Sequence, residues 1–530
     1  MSEQAITESV SRRRRGGGVR RVVLLLVAVG CAAGAAVLSI SLASTSHRVT
    51  VGGNVFVNRP RPIDANNSPT LARNPQRPTN LVLTHRVDRP GFSAALDWSL
   101  DGGRSWGTTS LPLPLGKDRP FAPDVAFGPD GTLFVSYVNL QGNGNTPETL
   151  WVARSEDGGR TLQPPVKVAG PLAFQARVVV DRSGVVHLTW LQAASVGFLQ
   201  LTGGPNPVVA SHSDDRGRTF SAPVVVSDPA RERVAAASPV VDARGDLVVL
   251  YEDFTSDHRD FEYLDGPPAE DPFALVVTRS NDGGKTFSRG VVVDDGLVAY
   301  KRFLVFLPEF PSVAAGAGGD LYVAWADGRN GDADVLVRRS PDGGRTWDAP
   351  VRVNDNHLGD HTSQYLPRIA VAPNGRVDVL FLDRRLDPKN KMTDAWLATS
   401  YDRGRHFHDV RVSSRSFDST VGPAVDEKQE IDFGSRLGLV STDAGSIMAW
   451  TDSRLGDRNT GRQDIAAASA QVRTVGPPAG RVAAAAGLLA VAGIALVALW
   501  ATGRRRSGSD DDDDEPVREP AGVDLGVVRR

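Results

Sequence analysis

Three arginines stand in one recurring setting in the C-terminal half of this chain, and the setting admits two kinds of chemistry. Arg329, Arg385 and Arg454 each follow an aspartate by two residues (Asp327, Asp383, Asp452), and each is followed by a further acid, Asp334, Asp394 or Asp464. Within one structural unit, bidentate pairing of guanidinium and carboxylate makes a brace that fixes a loop. Brought together, the same three guanidiniums would instead clamp a ligand carboxylate or sulfate. Recurrence of the whole Asp–Arg–Asp set favours the brace. The aspartates extend a longer series, since a polar residue lies two past an aromatic or apolar strand six times: Asn139, Gln192, Asp253, Asp327, Asp383 and Asp452.

Other spots carry weaker chemistry. Residues 252–271 hold eight acids and Tyr263, hard oxygens of the kind that bind Ca²⁺, although a solvated acidic loop has the same composition. His357, Asp360 and His361 are transition-metal ligand types, but no third histidine lies nearby and a polar loop explains them. No metal and no cofactor is expected. Tyr300, Phe303, Phe306 and Phe310 crowd one segment beside Lys301 and Arg302, which suits either packing or a contact patch.

The elements that must position these residues are announced by repetition. The pattern Ser-x-Asp-x-Gly-x-(Ser/Thr)-aromatic starts at Ser99, Ser155, Ser213, Ser280, Ser340 and Ser400, at spacings of 56, 58, 67, 60 and 60 residues. Leu162 takes the aromatic slot of the second copy, and His406 the Ser/Thr slot of the sixth. Ser and Asp two apart accept hydrogen bonds from turn amides, glycine supplies positive φ, and the closing aromatic packs back onto a sheet. A second series places an aromatic six residues after a turn glycine: Gly131 to Tyr137, Gly184 to Trp190, Gly245 to Tyr251, Gly319 to Trp325 and Gly375 to Phe381. Gly445 to Trp450 is one residue shorter. Each unit therefore reads as four antiparallel strands, and a repeat of this size is a propeller blade. Seven units fit between about residue 65 and residue 472, or six if the irregular first one is incomplete. The last lacks its fourth strand, which residues 49–57 are placed to supply, leaving no exposed edge.

Balanced charge (net −2) and 41% hydrophobic residues describe an ordinary β domain, with no basic patch for nucleic acid. The ends differ. Residues 22–43 and 482–501 are apolar runs flanked on their outer sides by arginines, which predicts two transmembrane helices. The expected order is a basic cytoplasmic N-terminus (1–21), a span or signal anchor (22–43), an extracytoplasmic propeller (44–480), a second span (482–501) and an acidic cytoplasmic tail (502–530). Ser41-Leu42-Ala43 keeps a cleaved signal peptide open. Cys31 is the single cysteine, so no intrachain disulfide forms. Arginine far outnumbers lysine, the composition of a high-GC bacterium.

The six boxes are those of the bacterial neuraminidase repeat, and residues 65–472 resemble the sialidase-like propeller superfamily. The three units that carry Asp334, Asp394 and Asp464 look most like its secreted bacterial members. The resemblance implies three arginines on a substrate carboxylate, a Tyr nucleophile activated by a Glu, and an Asp acid/base. Tyr365 and Glu309 are the candidates it offers. Its first arginine belongs in Phe-Arg-Ile-Pro, where this chain has Asn58-Arg59-Pro60-Arg61-Pro62-Ile63, a mismatch. Box arginines Arg104, Arg160 and Arg345 lie on the wrong face to replace it. The box specifies this fold without specifying hydrolysis. The expected function is thus a membrane-tethered recognition or scaffold module for a glycan, an envelope polymer or a protein. An exo-sialidase-type glycoside hydrolase is the alternative.

Overall fold

In a computed structural model, the structure describes residues 22–31, 46–58, 61–142, 145–194, 205–255, 272–298, 310–423, 431–475 and 479–507. Residues 49–472 form one compact unit and the two flanking segments a second. The first unit contains seven antiparallel sheets, each built on four strands that in six of them follow sequence order from the inside outward; the sixth and seventh carry a short fifth strand. Inner strands are β3 (Ala65–Arg73), β7 (Pro120–Phe127), β11 (Ala173–Val180), β15 (Val234–Val241), β19 (Ser312–Ala315), β23 (Gln364–Val371) and β28 (Gly438–Thr442). The irregular first unit is a full blade, so the ring has seven. In the seventh, β29 (Gly445–Asp452) and β30 (Asp464–Val475) are completed by β1 (Ser46–Val51), with β2 (Val55–Phe56) also on β30. Gly52 N donates to Ser469 O at 2.8 Å and Val57 N to Ile465 O at 2.8 Å, which closes the ring with a strand from the other end of the chain.

Second strands are sandwiched between two blades and read accordingly. All seven residues of β16 (Leu247–Asp253) and of β24 (Val377–Asp383) are buried, since both faces of the strand meet a neighbouring sheet. The core is therefore a set of apolar layers between blades rather than one centre. Polar residues in these layers come with partners. Arg376 and Asp378, both essentially unexposed, pair through two bonds of 2.8 Å.

All six serine–aspartate turns share one hydrogen-bond pattern. In the fifth, Ser340 Oγ donates to Asp342 Oδ1 at 2.8 Å and accepts from Gly344 N at 2.6 Å. Thr346 N and Oγ1 donate to the two oxygens of Asp342 at 2.9 and 2.7 Å. Gly344 has φ +92°, and a Cβ there would sit 3.2 Å from Leu321 Cδ1, so both backbone and space require glycine. In the sixth turn His406 Nδ1 replaces the threonine hydroxyl, 2.6 Å from Asp402 Oδ2. The closing aromatics are less buried than expected: Trp106, Phe220, Phe287 and Trp347 are half-buried and only Phe407 is buried, because they cap the rims of the layers.

One expectation is overturned. No helix among the described residues is long and apolar enough to cross a membrane. The helix Ala479–Ser507 carries arginine near both ends, at Arg481 and at Arg504–Arg506. The expected pair of transmembrane helices falls, and with it the extracytoplasmic placement of the propeller with both termini in the cytoplasm. Residues 32–43 and the acidic block at 510–515 lie outside the described residues.

Interblade burial makes a clear demand. Trp450 is fully buried and its Nε1 donates to Asp452 Oδ2 at 3.0 Å. Trp450→Ala is expected to lower stability by about 3–5 kcal/mol, measured by urea unfolding, from lost apolar contact and the cavity left between the blades.

Candidate functional site

The two ends of the ring are chemically different. At one end, the turn face, lie the first hairpin turns and the serine–aspartate turns, tied blade to blade by bonds such as Gln76 Nε2 to Pro129 O at 2.7 Å and Arg154 Nη1 to Arg216 O at 3.0 Å. Arg104, Arg160 and Arg345 are exposed there. Loops between second and third strands and the blade-to-blade connections occupy the connection face.

On the connection face Arg329, Arg385 and Arg454 act as staples. Each donates Nε to the aspartate two residues before it: Arg329 to Asp327 at 2.6 Å, Arg385 to Asp383 at 2.7 Å, Arg454 to Asp452 at 2.9 Å. Each then reaches back to the end of the preceding blade, where Arg329 meets Asp294 at 2.8 Å, Arg385 meets Asp355, and Arg454 meets Ser414 Oγ at 2.8 Å. The expected second acids have other partners. Asp334 pairs with Arg352 at 2.6 Å, Asp394 with Arg411 at 2.6 Å, and Asp464 with Arg462 at 2.9 Å. The brace is therefore mainly between blades rather than within one. Its arginines are 26%, 10% and 8% exposed, each already bonded on two sides. In the remaining blades the same position serves packing: Asn139 accepts from Trp151 Nε1 at 2.9 Å, Gln192 from Trp190 Nε1 at 3.0 Å, and Asp253 pairs with Arg231.

Tyr365 is fully buried in the apolar layer between blades six and seven. Its hydroxyl lies 3.3 Å from Thr393 Oγ1, and the Arg384 guanidinium sits 4.7 Å over its ring. Glu309 lies outside the described residues, as do Tyr300, Phe303, Phe306, Lys301, Arg302, Arg59 and residues 256–271 with Tyr263. Asp360 accepts from Asn356 Nδ2 at 2.9 Å and Thr362 Oγ1 at 2.6 Å, while the His361 amide donates to Asp332 at 2.6 Å. No group of three metal-ligating side chains occurs among the described residues.

A different set of residues converges on the axis. Inner strands carry a bulge with a positive-φ residue at Ser68, Ala122, Gln175, Ala236 and Leu366, and Gly434 has the same hand just before β28. Register slips at each of these five, between Phe174 and Arg177 for example. A bulge re-aims the side chains beyond it. Two residues on stand Thr70, Asp124, Arg177, Ser238, Arg368 and Arg436, and all six line one axial cavity of about 320 Å³.

Three guanidiniums there share one nearby carboxylate. Asp124 Oδ1 is 3.7 Å from Arg177 Nη1, and its Oδ2 accepts from Val178 N at 3.0 Å. Arg436 Nη2 donates to Pro123 O at 3.4 Å, and its Nε has no hydrogen-bond partner among the described residues. Phe310 lies under two of them, its ring 4.4 Å from the Arg177 guanidinium and 5.9 Å from that of Arg436. Burial drives Arg436 down to about 10, with Arg86 and Arg368 adding repulsion against the pull of Asp124. Burial also lowers Arg177, joined by repulsion from Arg436, and burial lowers Arg368. The adjacent Arg86 is neutralised separately, 2.6 Å from Asp432 and 3.2 Å from Asp88.

These residues were missed because the inner strands carry no shared residue type on the axis. A signal existed. Asp124, Arg177, Ser238, Ser312 and Arg368 each stand seven residues before the turn glycine of their hairpin, the register already marked by the aromatics.

No family model and no curated protein matches this chain. Among solved structures, a protein of unknown function from Dyadobacter fermentans is 14% identical with a TM-score of 0.43, over 80% of this chain and 99% of that one. The endosialidase of phage phi92 is 12% identical with a TM-score of 0.46, over 81% and 70%. The Hadza microbial sialidase Hz136 is 18% identical with a TM-score of 0.41, over 61% of this chain and 64% of that one. With TM-scores below 0.5, these likenesses do not bear on the chemistry of the channel.

Two outcomes test the connection-face network. Arg454→Ala leaves the fully buried Asp452 without its cation and is expected to cost about 3–5 kcal/mol in urea unfolding.

The second concerns Asp409, 2.8 Å from Arg385, whose carboxyl burial pushes up to about 7 despite that bond. The folded chain then binds this proton more tightly than the unfolded one. Its contribution is full near pH 4 and lost as pH rises to about 7, with a slope of at most about 1.4 kcal/mol per pH unit. Asp409→Asn should remove that slope from the stability–pH curve between pH 4 and pH 7.

Proposed function

We propose that this chain is a recognition propeller that binds an anionic glycan or related polymer through Arg177, Arg368 and Arg436 in its axial cavity. The supporting observation is the imbalance of charge there: three guanidiniums around Asp124, with Arg436 Nε unbonded. Burying like charges together is costly unless an opposite charge joins them, so the site gains most from a carboxylate or sulfate. Arginine is also the cation suited to such groups, because its planar donors match two oxygens at once.

Hydrolysis of the sialidase type fits less well. A Tyr nucleophile must lie beside the clamp with a base in reach, and Tyr365 is enclosed in the layer between blades six and seven, outside the residues that line the cavity. No turnover of a fluorogenic sialoside is expected, with or without Tyr365→Phe. Turnover abolished by Tyr365→Phe in a folded protein would replace binding by catalysis.

The binding reading is tested with an array of carboxylated and sulfated oligosaccharides. Arg436→Gln should weaken capture by about 10- to 150-fold, the range of a charge-assisted hydrogen bond of ~1.5–3 kcal/mol. The same substitution should leave the melting temperature unchanged or raised, because it relieves repulsion among the three guanidiniums. Unchanged capture by Arg436→Gln would sink the proposal.

A further inference from the structure

We infer that the arginine site is reached from the turn face through a channel closed at its other end, so that it receives a terminal oxyanion rather than the interior of a running chain. This rests on the reading of the cavity as an anion site. Direction comes from strand polarity. Every inner strand begins at the connection face and runs to the turn face, so residues after the arginine layer lie nearer the turns. Past that layer the cavity is lined by Val178 to Val180 on β11 and by Pro239 to Val241 on β15. The last residues of these strands are half-exposed.

Before the arginine layer the chain closes in. Phe121, Phe174 and Phe310 precede it on three blades and are 3%, 5% and 8% exposed. Phe310 lies against the Arg177 guanidinium, and its amide donates to Ser435 O at 3.3 Å. The space left between these rings and Arg86 is about 40 Å³, room for a water or two but not for a sugar. Arg436 borders both spaces and so forms the floor of the larger one. An anion entering at the turns passes apolar walls, where few solvent dipoles screen its attraction to the arginines, and stops on them.

The test is thiol accessibility in the full chain carrying Cys31→Ser, with a single new cysteine at either end. Val241→Cys probes the turn-end wall and Ser435→Cys the closed end; Val180→Cys replaces the former if thermal melting shows that it does not fold. Each is treated with an anionic sulfonatoethyl methanethiosulfonate and with its cationic trimethylammonium counterpart. Val241→Cys should react at least tenfold faster with the anionic reagent, inorganic sulfate should slow that reaction, and Ser435→Cys should react at least tenfold more slowly. Equal rates at the two cysteines, or no preference for the anionic reagent at Val241→Cys, would overturn the inference. Protection by sulfate but by no carboxylated or sulfated oligosaccharide supports a free oxyanion as the ligand and sinks the glycan reading alone.

Discussion

A blade of this chain cannot bury its own faces. Each is a single twisted sheet, and its apolar residues leave water only where another blade lies against them, so the sheets must form a closed ring. The rest of the architecture depends on that closure. The second strands are buried on both sides and lose the alternation expected of a half-exposed sheet, as in Leu247–Asp253. The final blade borrows its outer strand, Ser46–Val51, from the opposite end of the chain, which ties the two ends of the ring by backbone hydrogen bonds.

Closure also creates an axis. Seven inner strands converge there and their side chains point at one another across a narrow space. Bulges adjust that convergence, at Ser68, Ala122, Gln175, Ala236 and Leu366, by inserting one residue with positive φ and turning the next side chains toward the centre. An axis lined only by valines would be mechanically sufficient. Instead, two of the re-aimed positions are arginines and one is an aspartate, and Arg436 joins them from the segment before β28, an arrangement that adds repulsion to the folded state. Charge placed at a cost in stability is the usual mark of a site that awaits an opposite charge.

The contrast between the two arginine sets shows why residue type alone does not define a site. Arg329, Arg385 and Arg454 each have carboxylates of their own and hold one blade to the next. Arg177, Arg368 and Arg436 share one carboxylate among three and lie beside open volume. The same guanidinium is a structural staple in the first environment and, in the reading proposed above, a binding group in the second. What differs is the count of nearby acids, a quantity that depends on which blades end up adjacent.

The local chemistry of this protein was legible in its residues. Ser340, Asp342, Gly344 and Thr346 make their turn from contacts within seven residues, and Gly319 with Trp325 marks a hairpin for the same reason. Repetition of such short-range units was enough to specify four-stranded blades, while their number stayed at six or seven until the first unit was seen to form a full sheet. The apolar runs at the ends predicted spanning helices, yet no helix among the described residues is long and apolar enough to cross a membrane. Tyr365 was a nucleophile candidate by resemblance alone, and its burial between two blades makes it a packing ring. The axial arginines lie 191 and 68 residues apart in sequence, at Arg177, Arg368 and Arg436, and no local pattern links all three. Only closure of the ring brings them within reach of one aspartate, and that is a property of tertiary structure.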